Sequence, residues 1–224
     1  MTSLTIPKNS KHLFRKLHVM ENTIGELYSN EYFEYLNNRS KIRKLVRQMY
    51  LHDIRKYCKG KTIDFGCGIG ELLKILPNGS IGFEVNSVVV EFCKSQGMAV
   101  QLYEPGLDNY NLSMVDTSSF STFTMNHVLE HLENSNVVIE KLFISCHRLG
   151  ISRIVFTVPG YKGFLSDKTH VTFIDMKYFM ENKLLDNPHY NLYLSKYFPI
   201  NLPIVSQYLT HNELRMVFDI KTDQ

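Results

Sequence analysis

The stretch Lys61-Thr-Ile-Asp64-Phe-Gly66-Cys-Gly68-Ile-Gly70-Glu71-Leu-Leu73 decides the fold of this 224-residue chain. Its beginning, residues 62–65, is largely apolar or β-branched and predicts a buried β-strand. The three glycines that follow predict a sharp turn, in which a ligand can approach the backbone without meeting a Cβ. The pattern over 71–76 predicts a helix, whose N-terminal N–H groups favour an anionic ligand group.

The spacing of the glycines separates two classes of nucleotide-binding loop. A dinucleotide-binding loop has the pattern Gly-x-Gly-x-x-Gly, whereas here the third glycine, Gly70, comes one position early. The pattern from Asp64 through Gly66 and Gly68 to Gly70 instead resembles the first motif of the class I S-adenosylmethionine-dependent methyltransferases. An ordinary strand-to-helix turn is the alternative interpretation of the glycines taken alone.

Two further segments carry the same resemblance. Glu84 ends a predicted strand 20 residues after Asp64, where a carboxylate can accept hydrogen bonds from a ribose diol. Residues 120–132 (Phe-Ser-Thr-Phe-Thr-Met-Asn-His-Val-Leu-Glu-His-Leu) resemble the fourth strand of this superfamily and its Leu-Glu-His-Leu segment, although Ser121 replaces a common acid. Residues 153–160 resemble the fifth strand and 167–173 an acceptor-side loop, so the resemblance spans roughly residues 60 to 175.

The resemblance implies a Rossmann-like, doubly wound α/β fold. Its seven-stranded sheet would have the order 3-2-1-4-5-7-6 with strand seven antiparallel. Residues 1–59 would form an N-terminal helical lid and residues 60–224 the methyltransferase domain.

The residue pattern predicts helices over 11–36, 41–58, 71–76, 87–94, 127–132, 136–147 and 175–185. It predicts strands over 62–65, 81–85, 98–103, 120–125, 154–158, 190–197 and 214–220. Irregular chain is expected over 105–119 and a long loop over 159–170.

The resemblance also assigns residues to the cofactor, S-adenosylmethionine, which would leave as S-adenosylhomocysteine. The methionine part would lie on the glycines after Asp64, the ribose on Glu84, and the adenine amino group near Asp108. Asn126 and His127 would lie beside the sulfonium. The complete set is Asp64, Gly66, Gly68, Gly70, Glu84, Asp108, Asn126 and His127.

Histidines and one glutamate predict the catalytic site. His127, Glu130 and His131 are spaced i, i+3 and i+4, so on a helix they share one face. His170, from the loop after strand five, could approach them. We expect His131 or His170 to act as a general base on a hydroxyl acceptor, oriented by Glu130. A core-facing, helix-capping role for Glu130 and His131 is the structural alternative.

The same residues leave two metal interpretations open. Small-RNA 2′-O-methyltransferases hold a divalent ion with Glu-x-x-Glu-His and a distant His, and His127, Glu130, His131 and His170 match three of those four positions. Because His127 replaces a carboxylate, magnesium is disfavoured. His-x-x-Glu-His is also the inverted zinc-peptidase motif, but that class does not explain the glycines or Glu84. A non-catalytic binding protein with this fold is a further alternative.

Composition and charge limit the class of protein and the kind of methyl acceptor. No run approaches the length of a membrane span, and the four scattered cysteines predict reduced thiols in a cytoplasmic protein. Residues 1–60 contain 12 Lys+Arg against 5 Asp+Glu, and the remainder 13 against 17. This favours either a solvated helix face or a basic lid over a small polar or anionic acceptor, such as a sugar or nucleotide-sugar. Methylation of RNA 2′-hydroxyls is the alternative function. It is disfavoured because the sequence shows no separate RNA-binding domain and its net charge of +3 is small for a protein that binds nucleic acid.

Overall fold

The computed structural model describes residues 41–221, which form one seven-stranded sheet in the order β3-β2-β1-β4-β5-β7-β6. The strands are β1 Thr62–Phe65, β2 Ile81–Glu84, β3 Val100–Leu102, β4 Thr122–Asn126, β5 Arg153–Val158, β6 Tyr190–Phe198 and β7 Glu213–Ile220. The pairs among β1 to β5 are parallel, and β7 runs antiparallel to both β5 and β6. The predicted strand order and the antiparallel seventh strand are confirmed.

Six α-helices and four 3₁₀ turns lie between the strands in the described part of the chain. The helices are α1 Lys41–Arg55, α2 Ser87–Ser95, α3 Pro105–Asp108, α4 Ser135–Arg148, α5 Tyr161–Leu165 and α6 Met176–Glu181. The 3₁₀ turns are Leu73–Ile75, Leu129–His131, Leu184–Asp186 and Pro203–Gln207. Over residues 41–221, none of these helices has the length and apolar character needed to cross a bilayer.

Helices cover both faces of the central strands, which are buried along their whole length. On one face, Phe156 of β5 packs in the main core with Ile139 and Phe143 of α4. On the other face, the neighbouring residue Val155 packs with Leu51 and Ile54 of α1. Strands buried on both faces are expected to be nearly continuous apolar runs, as Ile-Val-Phe is here.

Helix α1 belongs to this core, although its residues fall in the predicted lid. Tyr50, Leu51 and Ile54 are each no more than 5% exposed. The Tyr50 hydroxyl donates to the backbone oxygen of His211, next to β7. Residues 1–40, including the predicted helix over 11–36 and much of the predicted lid, lie outside the described residues, and the division at 59/60 stays a prediction.

The predicted helix over 71–76 is wrong. Only residues 73–75 form a single 3₁₀ turn. Gly70, at φ +73°, holds the chain outside the helical region just before this turn. Pro77 pushes Leu76 into an extended conformation directly after it. The argument that a helix N-terminus attracts an anionic group therefore does not apply to this loop.

The predicted helix over 127–132 is also wrong. His127 has a left-handed backbone with φ +56°, and its N–H continues the pairing of β4 with β5 by donating to Thr157 O at 2.9 Å. Only Leu129–His131 form a 3₁₀ turn, which ends where Leu132 becomes extended. His127 thus leaves the strand through a tight turn, and the expected helical face does not exist.

Smaller differences follow from local backbone breaks. The predicted helix over 175–185 ends at Glu181, because the left-handed Lys183 separates it from the 3₁₀ turn Leu184–Asp186. The irregular segment 105–119 begins with the short helix α3, and the long loop over 159–170 contains α5. The predicted antiparallel pair near the C-terminus is confirmed as β6 and β7.

Candidate functional site

The glycine-rich turn after β1 requires glycine for two different reasons. Gly66, Gly68 and Gly70 all have positive φ, at +72°, +53° and +73°. A Cβ on Gly66 would overlap the side chain of Val128, and one on Gly70 would overlap Met98. A Cβ on Gly68 would meet nothing within 4 Å. Gly66 and Gly70 are therefore packing positions, whereas Gly68 borders open space that a ligand can fill.

Glu84 connects the end of β2 to this turn. One carboxylate oxygen, Oε2, accepts a hydrogen bond from the N–H of Gly68 at 2.9 Å. The other, Oε1, accepts from the N–H groups of Val85 at 2.8 Å and Asn86 at 3.0 Å. Burial raises the pKa of Glu84, and these three bonds counteract it. Glu84 therefore stabilises the glycine turn. It also lies at the end of β2, where the sequence predicted a contact with the ribose.

Asp64 and Asn126 lie side by side at the ends of β1 and β4. Burial raises the pKa of Asp64 to about 7, although Arg47 and Asn126 oppose the shift. The amide nitrogen of Asn126 donates to Thr124 Oγ1 at 2.9 Å and approaches Asp64 Oδ1 at 3.5 Å. The amide oxygen of Asn126 is buried without a hydrogen-bond partner among the described residues. It can therefore accept a hydrogen bond from a ligand placed at this edge.

Asp108 is buried at the exit of β3, where the sequence placed an adenine contact. Its carboxylate accepts hydrogen bonds from the Tyr103 hydroxyl at 2.7 Å, from Leu112 N at 2.6 Å, and from both the N–H and hydroxyl of Ser113. These bonds brace the loop that follows β3 and explain the burial of Asp108 without a ligand. Its contact with adenine stays a prediction.

His127 lies between two carboxylates. Its Nδ1 is 3.3 Å from Glu130 Oε1, and its Nε2 is 3.1 Å from Glu213 Oε1. Burial alone would lower the pKa of His127, but Glu213 and Glu130 outweigh burial and raise it to about 9. The imidazole is therefore protonated at neutral pH. A protonated imidazole neither accepts a proton nor binds a metal, so this geometry favours a positioning role for His127.

Glu130, His131 and His170 form a second cluster beside that ion pair. One ligand atom from each of the three side chains lies within 4.8 Å of the others. The two imidazole rings meet edge to face with centroids 4.8 Å apart, and His170 Nε2 is 3.8 Å from Glu130 Oε1. His170 Nδ1 lies 2.9 Å from Phe164 O, which requires that this nitrogen carry the proton. The structure thus brings together all four histidine and glutamate residues that the sequence grouped, and three of them, Glu130, His131 and His170, have ligand atoms close enough to share a metal ion.

The protonation of His131 follows from its neighbours. Thr169 gives its hydroxyl proton to Asp167 Oδ1 at 2.7 Å, so its oxygen can only accept from His131 Nδ1, which is 3.1 Å away. The backbone oxygen of Thr169 also lies 3.3 Å from that nitrogen. Burial lowers the pKa of His131. His131 is thus a neutral imidazole near pH 7 with its proton on Nδ1, which makes Nε2 the basic nitrogen.

Sequence reasoning did not identify the charged residues of β7 as part of the site. Glu213 forms the ion pair with His127, and Arg215, fully buried, pairs with Asp53 of α1. Asp53 also lies 3.2 Å from Lys196 of β6. The available signal was the presence of Glu and Arg inside an otherwise apolar strand, since charged residues are rarely buried unless they are paired.

The zinc-peptidase alternative is not supported by this geometry. The motif needs both histidines on one helix. Here His127 lies outside the 3₁₀ turn of Leu129–His131, and its two nitrogens face Glu130 and Glu213. The four cysteines are all buried, and none of them is joined to another by a disulfide.

Comparison with known families identifies one match. A family model described as methionine biosynthesis protein MetW matches residues 49–168, a range that includes the glycine turn, Glu84, Glu130 and His131 and ends two residues before His170. No curated protein sequence gives a significant match to this chain.

Solved structures of methyltransferases share the fold. Magnesium protoporphyrin IX methyltransferase (ChlM) from Synechocystis PCC 6803 with bound SAH is 10% identical over 90% of this chain and 100% of its own, with a TM-score of 0.61. The methyltransferase domain of bacterial CtHen1-C is 17% identical over 78% and 96%, with a TM-score of 0.57. A SAM-dependent methyltransferase from Archaeoglobus fulgidus is 17% identical over 85% and 100%, with a TM-score of 0.56. These similarities establish the class I methyltransferase fold.

Proposed function

The chain belongs to the methionine biosynthesis protein MetW family, and we propose that it is an S-adenosylmethionine-dependent methyltransferase acting on a hydroxyl group of a small polar acceptor. The observation that carries the proposal is the hydrogen bond between Glu84 and the N–H of Gly68. This bond joins the acidic end of β2 to the open glycine turn after β1. Together they place a carboxylate and an open backbone position side by side at the carboxyl ends of β1 and β2, where nucleoside-binding α/β folds hold their ligands.

The residues at this edge fit the cofactor. Gly68 borders open space, since a Cβ built on it would meet no atom within 4 Å. The Asn126 amide oxygen is a buried acceptor without a hydrogen-bond partner among the described residues. The methionine part would lie against Gly68, in a turn whose shape Gly66 and Gly70 maintain by close packing, and Glu84 would hold the ribose. When bound, S-adenosylmethionine supplies an activated methyl group on a sulfonium. Asp64 and Asn126 would border the reacting end of that group.

We assign the role of general base to His131. Its proton lies on Nδ1, where Thr169 accepts it, so Nε2 is the nitrogen that can take a proton from an acceptor hydroxyl. Asp167 orients Thr169 and thereby the ring. Methyl transfer mainly requires alignment of the acceptor oxygen with the methyl carbon, and a positioned base adds roughly 10²–10⁴-fold. Glu130 lies beside His170, and His127 holds Glu130 in place.

The acceptor that fits this base is a sugar or a nucleotide-linked sugar. A sugar hydroxyl is a weak nucleophile and needs a base. The excess of Lys and Arg in residues 1–60 suits an anionic group attached to such a sugar.

Methyl transfer to oxygen can be tested directly. The protein is incubated with S-adenosylmethionine carrying a carbon-13 methyl group and with a panel of nucleotide-sugars and free glycosides. We expect S-adenosylhomocysteine to form with at least one of them, and NMR of the product to show an O-methyl group. A methyl group on nitrogen or carbon contradicts the assignment of His131. The His131→Ala variant, with His147→Ala as the matched control, identifies the base.

A metal ion at Glu130, His131 and His170 is the alternative chemistry. Glu130 is buried, its Oε1 makes ion-pair contacts with His127 and His170, and its Oε2 has no hydrogen-bond partner among the described residues. Two imidazoles and one carboxylate suit a transition-metal ion better than magnesium, which prefers oxygen ligands. Such an ion would act as a Lewis acid on the acceptor hydroxyl, in place of a base.

Two measurements separate the alternatives. If a metal is used, Mn²⁺ or Zn²⁺ raises the melting temperature of the wild type but not of His170→Ala, and treatment with a chelator abolishes turnover. If His131 acts as the base, chelation leaves turnover unchanged.

A further inference from the structure

A cavity of about 350 Å³ lies beyond the carboxyl end of β5, next to the histidine cluster. It opens to solvent and is lined by residues of α5, the segment before α6, β6 and the 3₁₀ turn Pro203–Gln207. Its walls are aromatic and apolar, with a few polar groups among them. The lining residues are Tyr161, Phe173, Asp175, Tyr197, Pro203, Ile204, Ser206 and Gln207. Small-molecule sites have this character and a comparable size.

Stacked rings connect the cavity to the proposed catalytic residues. The imidazole of His170 stacks on Phe164 with ring centroids 5.7 Å apart. Phe164 meets Phe173 at 5.3 Å, and Phe173 meets Tyr161 at 5.5 Å, both edge to face. Phe173 and Tyr161 line the cavity. Packed aromatic rings therefore run from the lining of the cavity to His170 of the histidine cluster.

The polar groups of the cavity suit an uncharged ligand that carries hydroxyls. Asp175 supplies the one charged side chain among the residues that line it. Its Oδ1 caps α6 by accepting from Tyr178 N at 2.8 Å, which leaves acceptor capacity on the carboxylate. Gln207 offers an amide that can both donate and accept. An anionic group here would face Asp175 without a cationic partner in the lining.

The cavity is held in shape by close backbone contacts. A Cβ on Gly160 would overlap the backbone oxygen of Asn212, and one on Gly163 would lie 2.6 Å from Thr210 O. The fully buried side chain of Asn212 accepts from Ile200 N at 3.1 Å and donates to Leu202 O at 3.4 Å. The wall formed by α5 and the chain before β7 is thus fixed before any ligand binds, which reduces the entropic cost of binding.

We propose that this cavity binds the uncharged sugar ring of the methyl acceptor. The inference rests on the proposed methyltransferase function and specifies its substrate. The apolar C–H face of a pyranose would lie against Tyr161 and Phe173. Its hydroxyls would donate to Asp175 and pair with Gln207. Any anionic part of the acceptor would lie outside the cavity, because Asp175 repels it.

Ligand-observed NMR tests the proposal with defined probes. The probes are neutral methyl glycopyranosides of gluco, galacto and manno configuration, the methyl glycoside of glucuronic acid, and choline. Saturation transfer from the protein is measured with S-adenosylhomocysteine present. The variants are Tyr161→Leu and Asp175→Asn, and the latter keeps the oxygen that caps α6 while removing the charge. Their matched controls are Tyr193→Leu and Asp186→Asn, exposed residues outside the cavity.

We expect at least one neutral glycoside to bind, and both cavity variants to weaken it about tenfold, while the controls do not. Binding of the glucuronide or of choline in preference to every neutral glycoside overturns the proposal, as does neutral binding that both cavity variants leave unchanged. Absence of glycoside binding to a protein that binds S-adenosylhomocysteine also overturns it. Failure of S-adenosylhomocysteine to bind at all refutes the proposed function instead, so the two failures are distinguishable.

Discussion

His127 shows how single residues differentiate the histidines of this site. It is a non-glycine residue in a left-handed conformation, and such residues concentrate at functional positions. Glu130 and Glu213 keep it protonated at neutral pH, whereas burial keeps His131 neutral. Two histidines four positions apart therefore have opposite charge states. This difference supports the proposal that His131 is the base and that His127 positions Glu130.

The first prediction concerns His131. The His131→Ala variant should lower kcat by roughly 10²–10⁴-fold, because the base is lost while the cofactor site is untouched. Its dissociation constant for S-adenosylhomocysteine, measured by calorimetry, should equal that of the wild type. His147→Ala is the control, since His147 lies in the last turn of α4, at the opposite edge of the sheet. Full activity of His131→Ala would show that another group takes the proton.

A second prediction concerns the buried carboxyl group of Asp64. Its pKa is about 7 in the folded protein and about 4 in the unfolded chain, so the unfolded chain loses the proton first as pH rises. The free energy of unfolding of the wild type should therefore fall between about pH 4 and pH 7, and level off above. Between pH 5 and pH 8, the free energy of unfolding of the wild type should fall by roughly 3 kcal/mol more than that of the Asp64→Asn variant. Urea titrations of both proteins without cofactor measure it, and parallel pH profiles would contradict the assignment.

Residue contacts within one segment could be predicted from sequence, and distant ones could not. The spacing of His127 and Glu130 correctly indicated that they interact, although a left-handed turn rather than a helix brings them together. Glu213 is far from His127 in the sequence, and it reaches His127 only because β7 pairs with β5. No local pattern specifies that pairing, so the charge state of His127 became apparent only in the structure.

At the scale of elements, the glycine turn provides the sharpest test of the cofactor site. Gly68→Arg should abolish binding of S-adenosylhomocysteine in calorimetry, because the new side chain occupies the open space beside the turn. Gly97→Arg is a matched control: Gly97 also has positive φ, at +74°, and open space around it, but lies between α2 and β3. Both variants carry a similar backbone strain. Equal loss of binding in the two would indicate a general effect on folding.

Helix α1 yields a prediction about stability. Ile54 is 1% exposed and packs against β5 and β7, so Ile54→Ala should cost about 2–5 kcal/mol of unfolding free energy in urea titrations. Met49, on the same helix, is 56% exposed, and Met49→Ala should change stability by less than about 0.5 kcal/mol. A small effect at Ile54 would mean that α1 belongs to a separate lid, as the sequence suggested, and not to the core.

The strands were easier to predict than the short helices. Buried strands such as β5 are continuous apolar runs, and their positions could be predicted to within about two residues. The segments after Gly70 and Asn126 follow a helical pattern over a single turn only, where neighbouring backbone decides the outcome. A proline, a left-handed histidine and continued sheet pairing replaced the expected helices by 3₁₀ turns.

At the scale of the whole molecule, the parallel strands bring the functional residues together. The carboxyl ends of β1, β2 and β4 carry Asp64, Glu84 and Asn126, and the loops after β4 and β5 carry the histidine cluster. Ligands of open α/β sheets bind at this edge, where the strand order reverses. The order of motifs along the chain could therefore predict the cofactor edge. The cavity that we propose for the acceptor could not be predicted, because its walls come from four segments without a shared pattern.

Thermal melting with and without S-adenosylhomocysteine tests the central claim most directly. At about 100 times its dissociation constant, the ligand should stabilise the folded protein by about 2.7 kcal/mol. For a chain of this size, the melting temperature should rise by roughly 5–10 °C. NADH at the same concentration, and Gly68→Arg with S-adenosylhomocysteine, should give no rise. A dialysed protein that is stabilised by NADH, or that does not respond to S-adenosylhomocysteine, would contradict the assignment of this fold and this glycine turn to methyl transfer.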